Sequence, residues 1–127
     1  MNDGTEVETD MILLSIGVRP NSKLAVDASI EVGSKGGIIV DERMKTSDDS
    51  IYAIGDVIEI YNPLSKSKGM IPLAGPANKQ GRAVAANMLN QKEETYDGTI
   101  GTSVAKIFDM TAASTGLNEK VLKSMGK

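Results

Sequence analysis

The sequence predicts an α/β fold, and three observations carry that expectation. Asp10-Met-Ile-Leu-Leu-Ser-Ile-Gly17 is a continuous apolar run closed by a glycine. Its length and bulk suit a strand buried on both faces, as in a parallel sheet. Residues 76–91 have helical periodicity, with Ala77, Gly81, Val84, Ala85, Met88 and Leu89 on one face. The predicted elements run strand, strand, strand, helix, strand, helix, which is an α/β order.

Each element has its own punctuation. Arg19-Pro20-Asn21 ends the first strand, because proline restricts the residue before it and supplies turn geometry. Gly33 to Gly37 is a second break, and Gly37-Ile-Ile-Val-Asp41 reads as a short strand. Arg43 to Ser50 is polar and turn-rich, and Ile51-Tyr-Ala-Ile54 reads as a third strand ending at Gly55-Asp56. Residues 61–75 carry Asn, Pro, Ser, Lys and Gly and read as a loop in which Met70-Ile-Pro-Leu73 can run extended. Pro76 stands where a first helical residue would. Residues 92–99 form a polar linker with Asp97-Gly98 as its turn signal. Thr102 to Met110 alternates like a strand, and Phe108 and Met110 are expected in the core. Asn118 is a good N-cap for a short last helix with a stripe of Val121, Leu122 and Met125. A single long helix is little cover for strands buried on both faces, so these strands expect partners that the chain does not supply.

Composition narrows the chemistry. At 127 residues the chain is long enough for a domain with a real core. With one Phe, three Tyr and no Trp, that core must be built from Ile, Leu, Val, Met and Ala. Cysteine is absent, which removes disulfides, thiolate metal sites and redox thiols from these residues. Histidine is absent too, which removes the commonest general base and zinc ligand. An enzyme built on this chain needs carboxylates, Lys, Tyr or a borrowed cofactor. Tyr52 and Tyr61 have no lysine at a spacing that supports acid–base work. No catalytic residue and no metal site are assigned. The net charge is -3 and the Lys and Arg residues are scattered, Lys66 and Lys68 coming nearest to a cluster. That gives no basic footprint for nucleic acid or an anionic membrane. No stretch approaches the ~20 apolar residues of a transmembrane span. Asn2, Asp3, Glu6 and Glu8 make the N-terminus polar and acidic, unlike a signal peptide. A cytoplasmic protein, with neither nucleic acid nor membrane as partner, is expected.

Two segments carry the chemistry. In Thr46-Ser-Asp-Asp-Ser-Ile-Tyr-Ala-Ile-Gly-Asp-Val57 a polar turn runs into an apolar strand that stops at Gly55-Asp56. Gly55 has no Cβ, so a ligand can come close. An ionised Asp56 only accepts hydrogen bonds, which suits a polyol chain rich in hydroxyl donors. A Gly-Asp pair by itself is also a common turn signal. In Pro72-Leu-Ala-Gly-Pro76 the chain enters its long helix, whose N-terminus offers unpaired N–H groups and partial positive charge. Most helix starts bind only water or a cap.

The string Thr46 to Asp56 closely resembles the second FAD-binding motif of the flavoprotein pyridine nucleotide-disulfide oxidoreductases, a family that includes NADH oxidases, NADH peroxidases and coenzyme A-disulfide reductases. The resemblance extends over about residues 9–120. It implies a partial FAD/NAD(P)-binding Rossmann-like sheet with one long helix, followed by the start of an α+β dimerisation domain. Residues 1–20 would end the NAD(P)H-binding domain, 21–92 would form the second segment of the FAD-binding domain, and 100–127 would open the dimerisation domain, by the likeness of Gly101 to Asn118. The implied cofactor-binding residues are Gly17, for close approach; Gly55 and Asp56, for the ribityl chain; and Leu73, Ala74 and Gly75, whose backbone amides would face the flavin ring. Arg19 is expected as a structural cation that pins the crossover to a carboxylate. In such a parent, NAD(P)H would pass hydride to FAD, and electrons would go on to a disulfide, oxygen or peroxide. The family's G-x-G-x-x-G half-site and its redox cysteine are not among these residues, so the chain reads as a C-terminal fragment that is inactive alone. A homo-oligomer or domain-swapped dimer is expected. The alternative reading is a non-enzymatic α/β binding or assembly module.

Overall fold

Two short isoleucine-bearing strands form the centre of the molecule. The structure is a computed structural model that describes residues 2–89 and 93–127. β1 (Ile38–Ile39) lies parallel to β2 (Ile58–Asn62), with Ile38 opposite Ile58 and Ile39 opposite Glu59. β3 (Ser67–Gly69) folds back antiparallel on β2, completing a sheet of order β1-β2-β3. Ile30, Ile38, Val40, Met44, Ile58 and Ile60 pack into one buried cluster with Ala25 and Val84. Ala25 comes from α1 (Lys23–Asp27) and Val84 from α2 (Ala74–Met88). β4 (Ser103–Ile107) and β5 (Met110–Ser114) form a separate hairpin, and α3 (Glu119–Ser124) follows it. The mixed α/β character is as the sequence predicts. No helix among the described residues is long and apolar enough to cross a membrane.

Local chemistry explains the elements that form where expected. Asn118 caps α3, its Oδ1 accepting the Val121 N–H at 2.9 Å. The polar turn at 46–51 is closed by its own side chains: Asp48 Oδ1 accepts from the Ser50 N–H at 2.8 Å, and Thr46 Oγ1 donates to the Ile51 carbonyl at 3.0 Å. α2 starts two residues earlier than expected, at Ala74. Pro76 is its third residue, still within the first turn, where a missing N–H costs no helical bond. The helix's first internal bond is donated by Ala77 to the Leu73 carbonyl at 3.2 Å. The predicted end of this helix at 90–91 lies outside the described residues.

Other expectations are corrected. The apolar run 10–17 is not a strand; it is irregular, unpaired and exposed, with Leu13 84% and Ile16 89% accessible. A parallel strand exists only through its neighbours' hydrogen bonds, and among the described residues none pairs with this run. Arg19 is exposed beside it and makes no ion pair among the described residues. Residues 51–54 make only one antiparallel bridge among the described residues, Tyr52 to Lys45. The strand proper comes after the Gly55–Val57 turn, as β2, and the expected loop at 61–75 contains the β2–β3 hairpin. Its two-strand ladder is set by Asn62, whose Oδ1 accepts from the Leu64 and Ser65 N–H groups. Phe108 and Met110 are not core: Phe108 sits at the tip of the β4–β5 hairpin, 92% exposed. α2 turns a different face inward. Its buried residues are Gln80, Ala83 and Val84, while Ala85, Met88 and Leu89 face out.

Candidate cofactor site

The site is built where the Gly55–Val57 turn meets the middle of α2. Tyr52 and Ala53 pack against the core cluster. Ile54, in extended conformation, then lays its side chain beside the helix where Gly81 has no Cβ; a methyl there would sit 3.7 Å from Ile54 Cδ1. Gly55 follows with φ +82, a backbone conformation that other residues adopt only with strain, and a Cβ on it would point into open space. Asp56 is exposed, and its carboxylate has no hydrogen-bond or ion-pair partner among the described residues. The turn precedes β2, so Gly55 and Asp56 lie at its N-terminal side, not at the carboxyl end of a parallel strand as the sequence suggested.

A buried glutamine holds this turn to the helix. Gln80 is 1% exposed, and its Oε1 accepts the Gly55 N–H at 2.8 Å. The Tyr96 hydroxyl hydrogen-bonds the side chains of Gln80 and Thr99. Burial raises the Tyr96 pKa above its ordinary value, and those two hydrogen bonds pull it part of the way back, so the phenol is neutral at ordinary pH. The Tyr96 N–H donates to the Glu42 carbonyl at 2.8 Å. Further along the helix, Asn87 Nδ2 donates to the Glu94 carbonyl at 2.8 Å and Asn87 Oδ1 accepts the Glu94 N–H at 2.8 Å. The inward face of α2 thus carries two amides that serve loop backbones, a role that hydrophobic periodicity does not register.

Leu73 is the N-cap of α2, and no side chain caps the helix start. Ala74 and Gly75 are exposed in its first turn. Gly75 borders a cleft of about 550 Å³ shared with Pro76, Lys79, Thr99 and Thr102. A second cleft, of about 390 Å³ and lined by Val40, Met44, Tyr61, Lys68 and Tyr96, touches none of the six predicted residues. The Gly55–Asp56 turn is therefore tied, through Gln80, to the helix that begins at Leu73, Ala74 and Gly75. Gln80 lies six residues past Ala74, about 9 Å along the axis. Gly17 is apart from both groups, in the exposed run, with φ +95 and no heavy atom within 4 Å of where a Cβ would stand.

Gly55 and Asp56 fit one end of a polyol-bearing cofactor: a backbone open to close approach, followed by a carboxylate with its acceptor capacity unspent. The uncapped helix start fits a group that carries partial negative charge.

Comparison with known proteins shows which family the chain resembles. The chain is 40% identical over 122 residues to an NADH oxidase of Enterococcus faecalis. It is 50% identical to the solved reduced CoADR-RHD of Bacillus anthracis, with a TM-score of 0.89 over 98% of this chain and 22% of that one. It is 38% identical to a solved FAD-dependent pyridine nucleotide-disulphide oxidoreductase from Desulfovibrio vulgaris, with a TM-score of 0.84 over 94% of this chain and 30% of that one. The Enterococcus alignment covers 95% of this chain, but the chain spans only about a quarter (27%) of that relative. A family model described as pyridine nucleotide-disulphide oxidoreductase matches residues 1–81. That match covers more than half of the sequence, and the chain belongs to the pyridine nucleotide-disulphide oxidoreductase family.

Proposed function

We propose that these residues are part of a flavoprotein that passes electrons from NAD(P)H through FAD to a disulfide, oxygen or peroxide. The single observation that carries the reading is the Gly55–Asp56 turn: an open glycine with φ +82, an exposed unpartnered carboxylate, and α2 behind both. The names of the relatives, an NADH oxidase and an FAD-dependent oxidoreductase among them, support it. Asp56 would accept from ribityl hydroxyls. The first-turn amides of Ala74 and Gly75, with Leu73 as N-cap, would face the pyrimidine side of the flavin, where electron uptake builds negative charge. The hydride chemistry belongs to the cofactors when bound. The residues of this chain bind and orient.

The same reading assigns residues 1–20 to the end of an NAD(P)H-binding domain, 21–92 to an FAD-binding segment and 100–127 to the start of a dimerisation domain. Gly17 then stands in the first of these, where its missing side chain admits a cofactor. The hairpin β4–β5, exposed on both faces, supports a homo-oligomer, with domain swapping as a second route. A cytoplasmic location follows from dependence on NAD(P)H. A polypeptide of these 127 residues would oxidise no NAD(P)H, because it holds no redox cysteine and no G-x-G-x-x-G.

The test is Asp56→Ala in the holoenzyme. A hydrogen bond to a charged group contributes roughly 1.5–3 kcal/mol, so FAD affinity should fall about 10- to 100-fold. Asp56→Asn, whose carbonyl still accepts, should lose less. Flavin-to-protein absorbance ratios, with activity recovered by excess FAD, would support the reading. Unchanged flavin content with a lowered melting temperature would mean that Asp56 only closes a turn.

A further inference from the structure

We propose that Gln80 is a positioning residue for the cofactor, setting the Gly55–Asp56 turn through its buried side-chain amide, with Tyr96 at the amide's far end; the proposal rests on the flavin reading of that turn. Gln80 is the one polar side chain among the described residues that is buried, at 1% exposure. A buried amide is costly unless its hydrogen bonds are met, and no buried side-chain nitrogen or oxygen in the described residues lacks a partner. Oε1 meets the Gly55 N–H at 2.8 Å. That leaves the NH₂ group for the Tyr96 hydroxyl, which in turn bonds Thr99.

The two ends of an amide are not equivalent. Flipped, Gln80 would present its NH₂ to the Gly55 N–H, donor against donor. The Gly55 N–H, which can only donate, therefore sets Oε1 toward the turn and the NH₂ end toward the Tyr96 hydroxyl. Tyr96 is itself held through its backbone N–H on the Glu42 carbonyl. The line Thr99–Tyr96–Gln80–Gly55 therefore runs from the 96–99 segment, through α2, to the turn that carries Asp56.

What this line fixes is a glycine. Gly55 has the widest backbone freedom of any residue, and it sits immediately before Asp56 at φ +82. The Gln80 acceptor on its N–H and the Ile58 N–H on its carbonyl together hold this glycine, and with it the direction of Asp56. A preset turn binds a ligand more tightly because the ordering cost is met before binding.

The experiment is FAD titration of the apoenzyme by flavin fluorescence, with melting temperatures of the same apoproteins. Five variants are compared: Asp56→Ala, Gln80→Met, Gln80→Glu, Tyr96→Phe and the Gln80→Met/Asp56→Ala double. Gln80→Met keeps length and removes both hydrogen bonds, and should weaken FAD binding by about 2- to 10-fold, the worth of one ordinary hydrogen bond. Gln80→Glu still accepts from Gly55 and can accept from the Tyr96 hydroxyl, so it should restore affinity. Tyr96→Phe should weaken binding in the same direction and by less. Because Gln80 acts through Asp56, the double variant should bind FAD no more weakly than Asp56→Ala alone. Losses that simply multiply, or a Gln80→Met protein with a lowered melting temperature and unchanged FAD affinity, would overturn the proposal and leave the flavin reading standing. Should Gln80→Met not fold, Tyr96→Phe decides alone, and unchanged affinity there overturns it. Unchanged affinity in Asp56→Ala would instead bring down the flavin reading, and the proposal with it.

Discussion

Ile38 and Ile12 are the same side chain in two apolar strings, and they finish in opposite surroundings. Ile38 is 8% exposed and Ile12 is 75% exposed. The string around Ile12 is the longer and the more apolar of the two, yet it is the shorter Gly37-Ile-Ile-Val that is buried. The difference is a neighbour. Ile38 has Ile58 beside it in parallel register, and Ile30, Val40 and Met44 around it. Residues 11–18 have none of these among the described residues, so Met11, Ile12, Leu13, Leu14, Ile16 and Val18 all face outward. Apolar character states a demand for burial, and only a partner meets it. A row of exposed apolar side chains on an unpaired backbone is a surface that recruits another chain or another part of a longer one.

The largest expected effect tests this contrast directly. Ile58→Ala should destabilise a polypeptide of these residues by about 2–5 kcal/mol, the usual cost of emptying a packed isoleucine site. Ile12→Ala should change stability by no more than about 0.5 kcal/mol, as at any uninvolved surface position. Urea unfolding of both variants measures the pair. An Ile12→Ala cost approaching that of Ile58→Ala would mean that the exposed run is covered in solution. Light scattering at several concentrations would then show whether a second copy covers it.

Gly98→Ala sharpens the contrast at the boundary between the core and the outer hairpin. Gly98 has φ +93, and an added Cβ would collide with the Tyr61 carbonyl oxygen on β2. The neighbouring Thr99 N–H bonds that same oxygen at 3.0 Å. The backbone therefore has to give way, and roughly 1–3 kcal/mol of strain is expected, with the 96–99 segment lifted from β2. Near-UV circular dichroism of Tyr61 and Tyr96, read with the unfolding midpoint, would register it. An unchanged spectrum and midpoint would show that this segment is not anchored on β2.

The same contrast explains which parts of the molecule could be read from sequence. Signals that act within a few residues survive. The Asn118 cap, the Thr46–Asp48–Ser50 turn and the body of α2 all appear where their own side chains put them. Features that depend on distant partners do not. The 10–17 strand lacks a neighbour, Phe108 lacks a core to enter, and the parallel pairing falls on Ile58 and Glu59 in place of residues 51–54. At the site, Gly55 and Asp56 stand out through their motif, whereas Gln80 does not. Its polarity marks it as surface, and only the tertiary arrangement turns it inward to the Gly55 N–H. A glutamine one helical turn from Pro76 and Ala77 carries no local sign that a loop amide is waiting for it.

A smaller effect than at Ile58 or Gly98 is expected at Gly81, and its sign matters more than its size. Glycine inside a helix costs about 0.8–1 kcal/mol relative to alanine. A Cβ here would meet Ile54 Cδ1 at 3.7 Å, an ordinary contact, with no other heavy atom close enough to object. Gly81→Ala should therefore stabilise a polypeptide of these residues by about 0.5–1 kcal/mol. The face it sits on, with Ala77, Asn78, Arg82 and Ala85, is a shallow open groove of mostly small side chains. Should that groove receive another element in the holoenzyme, the same methyl would overpack the contact, at a cost of about 1–3 kcal/mol. Measuring the substitution in both forms separates the cases. Stabilisation in both means that α2 faces water there, as residues 11–18 do in this chain. Stabilisation in the short form and loss in the holoenzyme means that the small residues make room for a partner, and that the outward face of α2, like Ile38, is defined by what lies against it.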